Sequence, residues 1–174
     1  LMDSGELPGV WEQLAVGGVA AVQALRQRPA TTAASTLMAH TPEIDRFFAL
    51  PTVADIVAAL EGEGASGNAW AAETAAVLRK RSPLMLHVVL DQVRRARSMS
   101  LADDLRMERG LVRQCFALRP GAASETVEGI RALAVDKDHA PRWNPARIED
   151  VTPAMVSAFF EPPWPVHAHP LRGL

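Results

Sequence analysis

Six times along the chain a serine or threonine stands at the head of an amphipathic run, with proline or an acid close behind it. The places are Thr41-Pro42-Glu43, Thr52 with Asp55, Ser82-Pro83, Ser100 with Asp103, Ser124-Glu125 and Thr152-Pro153. Each reads as a helix start. The hydroxyl can accept from a free N–H of the first turn, proline is pre-set for the first helical position, and a carboxylate suits the positive end. Thr52–Asp55 and Ser100–Asp103 put the acid three residues after the hydroxyl, a variant of the capping box. β-Branched residues never alternate over a strand's length. The pattern predicts an all-α chain.

The apolar positions between these starts agree. Pro8-Gly9 opens a helix carrying Val10, Leu14, Val19, Val22 and Leu25, loosened at Gly17–Gly18 and ended by Pro29 after Arg28. Residues 31–39 read as a loop or a weak helical turn. Ile44, Phe47 and Phe48 follow, then Val53, Ile56, Val57 and Leu60 in a helix ending near Glu61-Gly62. After a flexible turn to Asn68, Trp70, Thr74, Val77 and Leu78 mark a helix closed by Arg79-Lys80-Arg81, where cations meet the negative end. Leu84, Leu86, Val88, Leu90 and Val93 mark the next, with Arg94, Arg95 and Arg97 in its last turn. Leu101, Leu105, Leu111, Val112, Cys115 and Phe116 belong to another, reaching about Leu118. Past a Pro120-Gly121 turn come Val127, Ile130, Leu133 and Ala134, and finally Met155, Val156, Phe159 and Phe160. The expectation is about seven helices with short connections over residues 1–160, then an extended or mobile proline-rich tail over residues 161–174.

Composition narrows the function classes. A chain of 174 residues with 48% hydrophobic side chains fits one domain with a real core. A formal net charge of −2 gives no reason to expect nucleic acid or a membrane surface as partner. Cys115 is the only cysteine, so no internal disulfide forms, and a reducing, cytoplasmic setting is expected. No apolar run is long enough for a membrane span, and the N-terminus lacks the pattern of a signal peptide. The start at Leu1 and the high alanine content suggest a fragment of a longer chain.

Chemically able side chains concentrate between Glu128 and Pro145, read EGIRALAVDKDHAPRWNP. His139 with Asp136, Asp138 and Glu128 matches no metal-ligand spacing, so no metal is assigned and a solvated charged loop is the simpler reading. Cys115 on an apolar stripe reads as a small buried filler, and His87 as a satisfied core or boundary residue. His167 and His169 suggest no more than weak metal binding. The arginines near Arg79 and Arg94 either cap helix ends or hold a phosphate. No glycine-rich phosphate loop and no Ser/His/Asp set is present. These residues alone reach a helical domain with one polar loop, and no reaction.

A resemblance adds one. Glu128-Gly129-Ile130-Arg131-Ala132, then Asp136-Lys137-Asp138 and Pro141-Arg142-Trp143, resembles the C-terminal part of 3-hydroxyisobutyryl-CoA hydrolases, crotonase-superfamily members often labelled enoyl-CoA hydratase/isomerase. Phe48 to Ala59, Arg81-Ser82-Pro83-Leu84, Leu101 to Arg113 and Val151 to Phe160 are similar in the same order, so the likeness covers most of residues 44–160. The family's Asp-Phe pair before Glu-Gly is replaced by Glu125-Thr126, and a small insertion lies around Pro120–Ala123.

The resemblance implies thioester chemistry: two backbone N–H groups stabilise an oxyanion while a carboxylate activates water. It places those groups in an N-terminal α/β core, so the helical region alone is expected to be inactive. Its implied partners are an acyl-CoA thioester, that core, and further copies in a homo-oligomer. No cofactor is implied, CoA being part of the substrate. Lys137 corresponds to a lysine that reaches the nucleotide of CoA in related enzymes, though Leu133 and Ala134 stand where an accompanying aromatic is usual. Lys137 as an ion-pair partner of Asp136 or Asp138 is the competing reading. The competing function is a non-catalytic helical interaction or oligomerisation module.

Overall fold

A computed structural model describes residues 4–27 and 36–174. Among these residues every regular element is helical, with nine α-helices and short 3₁₀ turns, as the capping pattern predicts. The chain falls into two units, Leu1–Ala49 and Leu50–Leu174.

In the first unit, α1 (Leu7–Gln27) breaks at Gly18, whose φ of 50° and ψ of −131° lie outside the helix. The loosening expected at Gly17–Gly18 is therefore a kink. Its expected stop at Pro29 lies outside the described residues, as do residues 31–35 of the ambiguous stretch. The rest of that stretch is the single turn α2 (Thr36–Ala39), followed by α3 (Thr41–Phe48). Thr41 does not cap α3. It is the first helical residue, and its hydroxyl donates back to the carbonyl of Met38 at 3.0 Å.

The second unit carries α4 (Val53–Ala65), α5 (Ala69–Arg79), α6 (Pro83–Ala96), α7 (Leu101–Ala117), α8 (Glu125–Ile130) and α9 (Pro153–Phe160). Thr52, Ser82, Ser100, Ser124 and Thr152 cap α4, α6, α7, α8 and α9, each hydroxyl accepting an N–H three residues on. Asn68 does the same for α5.

α4 overruns its expected end at Gly62 and continues to Ala65. The reason is tertiary. A Cβ on Gly64 would stand 2.8 Å from Ala72 Cα, so this glycine lets α5 approach closely and does not stop the helix. Arg79 fastens the same pair by donating to Glu61 of α4 and, at 2.9 Å, to Glu149, holding both carboxyls below their usual range.

α6 lies between two apolar clusters. Leu86 and Leu90 pack with Val53, Val57 and Ile148 on one side. Leu84 and Val88 pack with Leu111 and Phe159 on the other, where Cys115 is one of the partly buried fillers. His87 donates from Nδ1 to the carbonyl of Pro83 at 2.9 Å, a satisfied boundary residue. The tail does not lead away as an extended end: it folds back over α7, with the carbonyls of Leu171 and Leu174 accepting from Arg106.

The two glycines near the end of α4 should respond oppositely to alanine. Gly64→Ala should cost about 1–3 kcal/mol, because backbone of α5 must move. Gly62→Ala, with nothing within 4 Å, should gain about 0.5–1 kcal/mol of helix propensity. Urea midpoints of the two variants check the pair; a Gly64→Ala midpoint at or above the parent's would refute the close-packing account.

Candidate functional site

The Glu128–Pro145 segment is built from the first turn of α8. Ser124 caps that helix, accepting the Val127 N–H at 3.3 Å and donating to the Cys115 carbonyl at 2.6 Å. Glu125 and Glu128, one turn apart on the same face, are both buried. Glu125 accepts the Ser82 hydroxyl and the Asn144 N–H, the latter at 2.9 Å. Glu128 accepts the Arg142 N–H at 2.7 Å. Two helical carboxylates thus hold the backbone of the returning loop, which Arg119 also fixes by donating to the Asn144 carbonyl at 2.6 Å.

After Ile130 the helix widens into a π-helical stretch, Arg131–Val135, where the Asp136 N–H reaches the Arg131 carbonyl at 2.8 Å. The Arg131 guanidinium then becomes the hub. It meets both oxygens of Glu128 (2.8 and 2.7 Å), Asp136 at 2.6 Å, Asp138 at 2.7 Å and the Ala140 carbonyl at 3.2 Å. Hydrogen bonds from Arg131 and then the Arg142 N–H bring the Glu128 carboxyl down to about 2. The Ala140 N–H, ahead of Arg131, lowers the Asp138 carboxyl. The same carboxylates hold Arg131 above the ordinary guanidinium range.

So pinned, the loop keeps Lys137 and His139 at φ of 56° and 53°, left-handed values that side chains seldom adopt. Lys137 is exposed and has no hydrogen-bond or ion-pair partner among the described residues. The competing ion pair with Asp136 or Asp138 does not form, because Arg131 takes both carboxylates. His139 shares the loop with those acids, but no group of three or more His, Cys, Asp or Glu suited to a metal exists among the described residues.

Beside the loop runs a trough of about 700 Å³ between α6 and α8. Met85, Leu86, Val89, Ile130, Leu133 and Trp143 give it apolar walls, and Lys80, Arg81 and His139 lie along it. Trp143 donates to the Lys80 carbonyl at 3.2 Å. Its ring would lie 3.3 Å from a Cβ on Gly129, which explains the glycine of the Glu-Gly pair. Arg79 is spent on Glu61 and Glu149, and Arg94 donates to the carbonyls of Leu50 and Pro51, so neither is a phosphate holder in this arrangement.

The sequence reading missed the Arg131 hub and the Ser82–Glu125 link. The Glu128–Arg131 half of the hub was accessible, since three-residue spacing on a helix brings the two side chains together. The rest depends on how the π stretch returns the chain.

The pH dependence follows in sign. Glu128 sits at about 2 against its ordinary 4.5, so the unfolded chain binds the extra proton. Its contribution is complete above about pH 4.5 and is lost as pH falls toward 2. Glu128→Gln should therefore be less stable than the parent at pH 7, and the gap should close by about pH 2. Urea titrations across that window test it; a gap that stays constant would assign the stabilisation to something other than this carboxylate.

A family model described as enoyl-CoA hydratase/isomerase matches residues 2–160. The small ribosomal subunit protein mS47 of Arabidopsis thaliana is 38% identical over 120 residues, 68% of this chain and 29% of that protein. The 3-hydroxyisobutyryl-CoA hydrolase 1 of the same plant is 37% identical over 119 residues, 68% of this chain and 31% of that protein. The crystal structure of a carnitinyl-CoA dehydratase from Mycobacterium thermoresistibile superposes with a TM-score of 0.67 at 35% identity, covering 91% of this chain and 43% of the other. The chain spans about a third of the length of these curated relatives.

Proposed function

The chain belongs to the enoyl-CoA hydratase/isomerase family of the crotonase superfamily, and from that premise we propose that it is the helical, substrate-holding part of an acyl-CoA enzyme, a 3-hydroxyisobutyryl-CoA hydrolase. The observation that carries the proposal is Lys137, an unpartnered cation on a loop that Arg131 pins beside an apolar trough. In this reading Lys137 meets the phosphates of CoA, and a crotonase-type α/β core covers the trough.

Bond cleavage is assigned to that core. Its backbone amides would stabilise the thioester oxyanion and its carboxylate would activate water. The acids nearest the trough are poorly placed for that work. Glu128 titrates near 2 and is filled by Arg131 and the Arg142 N–H, while Glu125 is filled by Ser82 and Asn144. The isolated chain is therefore expected to have no turnover. Exposed apolar residues such as Leu133 (66%) and Val135 (69%) support a covering partner, whether that core or further copies.

With the catalytic core present, Lys137→Ala should raise KM for CoA thioesters about three- to tenfold with kcat little changed, the scale of one exposed charge–phosphate contact. An unmoved KM would remove the nucleotide contact. A second reading, a non-catalytic interaction module, is favoured by the relative that is a ribosomal subunit protein. The two part on whether adding the chain to a crotonase core changes thioester turnover.

A further inference from the structure

Residues 161–174 lie beyond the stretch that matches the family model. From Glu161 this strap turns back across α7, over a groove whose walls include Met107, Leu111, Phe159 and Trp164. Gln114 holds its start by donating to the Glu161 carbonyl at 3.0 Å. Arg106 holds its end, donating to the backbone oxygens of Leu171, at 3.2 Å, and Leu174. Between these two points His169 ties the strap to the helix.

Both ring nitrogens of His169 are used. Nδ1 meets the Leu171 N–H at 3.0 Å, and Nε2 meets the Arg106 carbonyl at 3.3 Å. A backbone N–H can only donate and a carbonyl can only accept, so the roles are fixed. Nδ1 is the bare, accepting nitrogen and Nε2 carries the proton, which is one tautomer of the neutral ring. The chain then turns through Pro170, which brings no N–H of its own, and the Arg172 N–H closes the turn on the His169 carbonyl at 3.1 Å. Trp164 packs edge-on against the imidazole, with centroids 5.4 Å apart.

An imidazolium carries hydrogen on both nitrogens and accepts nothing. Placed here, it would set its Nδ1–H against the Leu171 N–H, and turning the ring over would offer no other acceptor. The neighbouring charges do not relieve it. Arg106 and Arg109 come from α7, Arg109 lying over the Trp164 indole at 5.3 Å. Arg95 of α6, bonded to Asp91, and Arg172 of the strap line the same groove. Of the carboxylates there, Asp103 is bonded to Arg106 at 2.7 Å, and neither Asp103 nor Glu161 pairs with the ring among the described residues. His167, the other histidine of the strap, is exposed.

We infer that His169 is a pH-sensitive clasp: its neutral ring holds the strap on α7, and protonation releases the Leu171 turn and uncovers the apolar groove. Histidine ordinarily changes charge between about pH 5 and 8. The clasped state needs a proton-free Nδ1, so closure is favoured as pH rises and lost as pH falls. That window lies above the one in which Glu128 loses its contribution. The clasp is independent of the acyl-CoA reading.

Amide exchange of Leu171, read by NMR on the 174-residue chain and corrected for the intrinsic rate at each pH, tests it. Protection at Leu171 should fall at least about fivefold between about pH 8 and 5, the scale of one hydrogen bond, while that of buried Val88 is unchanged. His169→Asn should abolish the pH dependence, since an asparagine oxygen can accept the N–H two residues on and does not titrate. His169→Lys should leave Leu171 unprotected even at the upper pH. The clasp is overturned if Leu171 keeps its protection at the lower pH, if Val88 loses protection in parallel, or if His169→Asn shows the parent's pH dependence. It is also overturned if folded His169→Lys protects Leu171 as well as the parent does. Should His169→Lys fail to fold, the parent and His169→Asn decide.

Discussion

The Arg131 guanidinium, gripping both oxygens of Glu128 and one oxygen each of Asp136 and Asp138, is what gives the chain's polar loop a single shape. A charged ten-residue loop would ordinarily be solvated and variable. Here one planar donor reaches a helix, a π-helical exit and the loop beyond it, so the loop inherits the rigidity of α8. The left-handed backbone at Lys137 and His139 is tolerable because the surrounding bonds over-determine it. The arrangement also sorts charge. Both aspartates beside Lys137 are hydrogen-bonded to Arg131, which leaves the lysine side chain without a partner in the loop.

α6 performs the matching task for the apolar part. With Leu86 and Leu90 in one cluster and Leu84 and Val88 in another, it is the element through which α4 and α9 are related. Ser82 at its N-terminus belongs to both systems, capping α6 while donating to buried Glu125. The trough therefore has walls whose separation is set by a core on one side and a hydrogen-bonded carboxylate on the other. A buried acid of this kind is tolerable only while its oxygens are filled, and Ser82 and Asn144 fill them.

Much of this was legible before any coordinates. Five Ser/Thr caps fall at the expected residues, the α1 kink falls at the glycine pair, and Cys115 and His87 take the bland roles their apolar stripes suggest. Errors cluster where one element answers to another. Gly62 looked like a helix stop because glycine weakens helices, yet α5 accepts α4 only if residue 64 lacks a side chain. Arg79 does stand in the last turn of α5, as expected, but the pattern along the chain gave no sign of the two distant glutamates that it also binds. The proline-rich tail looked extended, but Arg106 binds its carbonyls.

What the sequence determined by itself is the helical class, the helix starts, and the motif that identifies the family, because each depends on residues within a turn or two of one another. What only the tertiary structure decided is which charged side chain pairs with which. Lys137 with Asp136 or Asp138 and Arg131 with all three acids are equally good pairings along the chain. The π-helical exit after Ile130 returns the loop over Arg131, and a planar fork with five donors can satisfy several carboxylates at once where an ammonium on a flexible stem cannot.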